Sequence, residues 1–135
     1  MLGVNGTYAV EVDPGGGNTG NITITAYDVP PDAIGTLTVG GSGVLVTLGT
    51  PGQNGSFTFA GTASQTVTVR VTGNTLSTVT VKLFKPDGTQ LATSTSLLSA
   101  FNLATQALPV TGTYTVTVDP NGGNTGSLTL SVTTP

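Results

Sequence analysis

The stretch GTYTVTVDPNGGNTGSLTLS, residues 112–131, decides the fold class. Tyr114, Val116 and Val118 alternate with threonines, and Leu128, Leu130 and Val132 resume the alternation beyond DPNGGNTG. A period of two puts the apolar side chains on one face of a pleated strand and Thr on the other. Pro and Gly cannot continue a central strand, so the segment between is a loop. The whole unit reads as a β-hairpin with a long, Gly-rich connection.

The same unit stands near the other end of the chain. GTYAVEVDPGGGNTGNITIT begins at Gly6, 106 residues before its counterpart at Gly112, and the upstream LGVNGTY from Leu2 parallels LPVTGTY from Leu108. That spacing is close to one ordinary domain length, so the chain holds one period of a repeat plus a short overlap. The leading unit reads as the last two strands of a preceding repeat, and the closing unit completes the present one. A subunit that lends its leading unit to a neighbour has the same pattern.

Alternation continues between the two copies. Val44, Val46 and Leu48 form one set, Phe57 and Phe59 a second, Val67, Val69 and Val71 a third, and Val79, Val81 and Leu83 a fourth. KPDG at Lys85–Gly88 reads as a tight turn, with Pro86 presetting φ and Gly88 accepting a positive one. SLLSAFNLATQAL, residues 96–108, has apolar spacings of three and four but no caps, and reads as a loop plus a short strand. About ten short strands indicate an all-β chain, an antiparallel β-sandwich of jelly-roll type with an additional N-terminal β-hairpin. The expected division is a leading hairpin over 1–28, a Pro/Gly connector over 29–40 stiffened by Pro30 and Pro31, and a sandwich module over 41–135.

Composition removes several function classes. Charged residues are 7% of the chain and the net charge is −3. Arg70, Lys82 and Lys85 are its only cations, too few to neutralise a phosphate backbone, so no nucleic-acid partner is expected. No apolar run reaches the roughly 20 residues of a membrane-spanning helix, so no insertion is expected. Positive mean hydropathy with regular alternation argues for a folded chain rather than a disordered one. With no Cys there is neither a disulfide framework nor a thiolate metal site. The start MLGVNGTYAVEV lacks a basic region followed by an apolar one, which suggests an internal or mature piece of an exported chain, with Met1 an added start.

The body resembles the bacterial pre-peptidase C-terminal domain family. GSFTFAGTASQTVTVRV is similar to the family's early strand pair, and VTVKLFKPDGTQLATS to its central strand, Pro-Asp-Gly turn and following strand. LPVTGTYTVTVDP and TGSLTLSV resemble its closing Gly-Thr-Tyr segment. The long connector and repeated unit resemble tandem surface-protein versions of the family. The resemblance implies a jelly-roll sandwich and an extracellular, accessory role at a bacterial cell surface. Acidic residues that the family often carries before the central strand are replaced here by NTLST, so no calcium-binding residue is transferred.

The inventory for chemistry is sparse. With neither His nor Cys, the usual general base and thiolate nucleophile are missing. The six carboxylates are Glu11, Asp13, Asp28, Asp32, Asp87 and Asp119, and four of the aspartates sit beside Pro or Gly where Asp commonly caps backbone groups. No enzyme activity, catalytic residue, cofactor or metal site is expected. DPGGGNTG offers a cation Asp13 with Asn18, and DPNGGNTG offers Asp119 with Asn121 and Asn124, which is one carboxylate per loop and thin for Ca²⁺. Lys82 and Lys85 read as surface lysines rather than crosslinking ones. Tyr27 and Phe84 are the aromatics on an outward phase that could stack on sugars. Thr66, Thr68, Thr72, Thr78 and Thr80 share a phase that could order ice, but Arg70 and Lys82 interrupt it.

The expected function is therefore a non-catalytic structural or interaction module of an extracellular bacterial repeat protein or fibre. It would self-assemble with neighbouring copies through hairpin packing or strand addition. Tyr8 and Tyr114 would anchor the hairpins, and Gly15–Gly17 and Gly122–Gly123 would permit their loops. The alternative is a carbohydrate- or surface-binding accessory module of a secreted enzyme, with surface glycans as partners.

Overall fold

A computed structural model describes residues 3–135; Met1, and the part of the upstream match carried by Leu2, lie outside the described residues. Ten strands form, all after residue 32, and no helix is present among the described residues. They are β1 (Ala33–Thr36), β2 (Val44–Leu48), β3 (Gly55–Gly61), β4 (Thr66–Thr72) and β5 (Val79–Phe84), then β6 (Gln90–Ser96), β7 (Phe101–Asn102), β8 (Gln106–Ala107), β9 (Gly112–Pro120) and β10 (Gly126–Thr133). One sheet has the order β1-β3-β9-β5-β6 and the other β2-β10-β4-β7, with β8 also paired to β4. All pairings between strands are antiparallel except β1 with β3, and an isolated parallel bridge joins Val39 to Val132 of β10. The chain is thus a β-sandwich, as its alternation predicts.

The alternating residues supply the core. Val67, Val69 and Val71 of β4, Val79, Val81 and Leu83 of β5, and Phe57 and Phe59 of β3 are all buried. At the centre lie Tyr114, Val116 and Val118 of β9 and Leu128, Leu130 and Val132 of β10, each with no exposed surface. The rings of Phe59 and Tyr114 stack with centroids 5.4 Å apart. Among the described residues no buried side-chain nitrogen or oxygen lacks a hydrogen-bond partner. Asn74, the buried polar residue, donates to the carbonyls of Ser77 and Leu98 and accepts from the Leu76 amide.

The structure corrects the hairpin. β9 pairs with β3 and β5, whereas β10 pairs with β2 and β4, so the two strands lie in opposite sheets. The unit is an arch: Asn121–Thr125 carries the chain across the sandwich, which in such folds is about 10 Å thick. Gly122 takes φ of 68° in the loop. Gly126, at the start of β10, takes φ of 151°, and a Cβ there would stand 3.0 Å from the backbone of Thr75. An arch and a hairpin share the same alternation, since each needs two strands with one apolar face.

Two further boundaries move. β1 lies inside the stretch expected as connector, because Ala33–Thr36 runs beside Gly55–Thr58. The 96–108 segment becomes two two-residue strands on β4, with Leu103 and Leu108 buried. Pro30 and Pro31, expected to stiffen a connector, stand just before β1, and the Pro31 carbonyl accepts a hydrogen bond from the Gln53 side chain.

The leading copy forms no strand, and every residue from 3 to 29 is exposed. Tyr8, expected as an anchor, is 49% exposed, whereas Tyr114 is fully buried. Paired substitutions therefore separate the copies. Gly126→Ala is expected to destabilise the chain by about 1–3 kcal/mol through a strained backbone, and Tyr114→Phe by about 1 kcal/mol through a lost hydrogen bond. Gly20→Ala and Tyr8→Phe are expected to leave the urea midpoint of the isolated chain unchanged.

Candidate functional site

The Asp87 turn and the two repeated loops use their polar side chains on their own backbone and close neighbours. Asp87 accepts hydrogen bonds from the Thr89 amide (2.9 Å) and hydroxyl (2.6 Å) and pairs with Lys85 at 3.3 Å. These Thr89 bonds, with a smaller contribution from Lys85, hold its carboxyl below the ordinary value of 3.8. In the repeated loops, Asn18 donates to the Gly15 carbonyl (2.6 Å) and Asn124 to the Asn121 carbonyl (2.7 Å). Both asparagines thus close their own loops. Among the described residues no group of three or more acidic, His or Cys side chains is placed to hold a metal ion.

The remaining residues singled out from the sequence do not converge. Tyr27 is 56% exposed in the leading segment, and Phe84 is half-buried on β5. The threonine row is split between the sheets, with Thr66, Thr68 and Thr72 on β4 and Thr80 on β5. Thr68 shares a hydrogen bond with Thr105, in the loop between β7 and β8, and Thr80 shares one with Thr95 of the neighbouring β6. Lys82 points outward from β5, between the buried Val81 and Leu83.

Among the described residues, the leading copy packs against no strand. Val10 is 72% exposed, Val12 50%, Ile22 66% and Ile24 55%, although their counterparts Val116, Val118, Leu128 and Leu130 are fully buried. Its local geometry nevertheless matches the closing copy. The Tyr8 hydroxyl donates to the Val4 carbonyl at 2.5 Å, and the Tyr114 hydroxyl donates to the Val110 carbonyl at 2.7 Å, each four residues back. Gly16 has φ of 66° and Gly122 of 68°. Val12, Pro14 and Ile22 line one open cleft, so the two arms present apolar side chains to a shared space. Hydrogen bonds, loop and facing arms are thus present without the sheets that the closing copy joins.

Alternation announced these apolar faces, but which copy is packed was not legible from it. Nor did the sequence single out Asn74; a lone Asn beside Gly73 reads as a turn residue.

Comparison with known proteins bears on the sandwich. No family model and no curated protein matches the chain. Among solved structures it is similar to the pre-peptidase C-terminal domain of a collagenase from Bacillus anthracis. That likeness has a TM-score of 0.62 at 14% identity and covers 76% of this chain and 97% of that one. It is also similar to PliG of Aeromonas hydrophila, a periplasmic inhibitor of g-type lysozyme, with a TM-score of 0.50 at 21% identity over 75% of this chain and 98% of that one. At these identities the likeness is one of fold, and it bears out the pre-peptidase C-terminal type of sandwich.

The geometry of Asp87 sets a pH dependence. Its carboxyl is depressed in the folded chain, so the turn's extra stability is present above the unfolded value near 3.8 and is lost as pH falls through the lower folded value. An NMR titration should show the Thr89 amide shifting with a midpoint below 3.8, and Asp87→Asn should abolish that step.

Proposed function

We propose that this chain is a non-catalytic structural module of an extracellular bacterial repeat protein or fibre, joined to neighbouring modules through its leading segment. The observation that carries this reading is the duplicated arch, packed at the centre of the sandwich at one end and exposed with the same apolar alternation at the other. A chain that displays a second set of core residues has a surface suited to another module of its kind. The lack of His and Cys and the local use of Asp87, Asn18 and Asn124 support a non-catalytic role. The extracellular setting is supported by fold likeness to the pre-peptidase C-terminal domain of a collagenase and to a periplasmic inhibitor.

Light scattering after size exclusion, run on the full chain and on one starting at Val29, tests this function beside a glycan array. The full chain is expected to associate with rising concentration, the shortened chain to stay monomeric, and neither to retain a glycan. Glycan binding lost on Tyr27→Ala or Phe84→Ala would overturn the reading in favour of a carbohydrate-binding accessory module.

A further inference from the structure

The geometry points to the leading segment being a two-strand plug, whose receiver is the β9/β10 slot of a second copy of this module. This inference rests on the structural reading above and specifies how the joint is made: insertion at the centre of both sheets rather than addition at an edge. Within the chain, the slot for such a plug is already filled by β9 and β10. The described residues thus hold two such plugs and one slot, so association of full chains has the leading segment of one copy displace the closing arch of another, an exchange that rising concentration favours.

Three observations support the fit. Tyr8, Val10, Val12, Ile22 and Ile24 align with Tyr114, Val116, Val118, Leu128 and Leu130 at one constant offset, with Tyr and Val conserved in kind and Ile standing for Leu of equal size. The tyrosine bond to the carbonyl four residues back, the asparagine bond within the loop and the positive φ of the loop glycine occur in both copies. The plug is therefore already shaped for the slot, which lowers the ordering cost of binding.

The third observation concerns charge. Thr117 of β9 lies opposite Lys82 of β5, and Glu11 is the residue aligned with Thr117. In the slot of a second copy, Glu11 would stand across from Lys82 on the outer face of the sheet. Opposite charges directly across a strand pair are favourable. Within one chain, Lys82 makes no ion pair among the described residues. The leading arch thus carries a carboxylate for a cation that the closing arch leaves without one.

The test disables the closing arch in the full chain. Val116→Asp places a carboxylate at a site with no exposed surface, which ejects that arch from the core. We expect the V116D chain to stay folded, with a cooperative melt, by accepting leading arches from other copies, and its particle mass to grow with concentration. V10D/V116D, which has no intact plug, should be unfolded, and V10D alone should melt like the parent chain. Mixing V10D/V116D with the parent chain should restore its strand signal, whereas mixing it with V10D should not. Reversing the charge with Lys82→Glu in the V116D background should weaken assembly a few-fold, and adding Glu11→Lys should restore it.

A V116D chain as unfolded as the double variant would overturn the plug, and a folded V116D chain that stays strictly monomeric would overturn its insertion into a second copy. Both readouts are of folding and mass, so their failure leaves the glycan result standing. A positive glycan result would likewise leave these readouts unchanged.

Discussion

The sandwich depends on where its last two strands go. β9 lies between β3 and β5 and β10 between β2 and β4, so one continuous segment of chain holds the middle of both sheets. Remove it and the first sheet falls into the pairs β1-β3 and β5-β6, while β2 loses its hydrogen-bonded neighbour. Six fully buried side chains would leave with it. At about 1.5–3 kcal/mol for each such side chain, their burial is comparable to the roughly 5–15 kcal/mol net stability of a domain. No other element of the fold joins the two halves of both sheets.

The duplication of that segment separates local from tertiary causes within one molecule. Tyrosine corner, loop asparagine and left-handed glycine form in both copies, because each needs only residues within a few positions. Strand pairing and burial form only where neighbouring strands exist. A period of two specifies which face will be apolar, and the partner strands decide whether that face becomes core. The leading copy is a core segment by sequence and a surface segment in the chain as folded.

That distinction explains what could be read in advance. The all-β class, the KPDG turn, the inward phase of Phe57, Phe59, Val81 and Val116, and the repeat were legible, because alternation and turn chemistry are local signals. The arch was not, since DPNGGNTG can reverse the chain within one sheet or carry it to the facing one, and the flanking strands look alike in either case. Thr66 and Thr80 share a phase in the sequence, yet their strands belong to opposite sheets. β1 was hidden by the prolines before it and by its mere four residues. For the leading segment the sequence gives identity with a packed unit, and only the structure shows that its faces are unoccupied in the chain itself.

The most direct measurement is residue-resolved hydrogen exchange on the dilute, monomeric full chain. If the leading copy is a core segment without a core, amides of β9 and β10 will exchange only through global opening. The equivalent amides of residues 6–26 will exchange close to the unprotected rate. Protection of residues 6–26 equal to that of β9 and β10 would contradict the account, because the leading copy would then already be packed within its own chain.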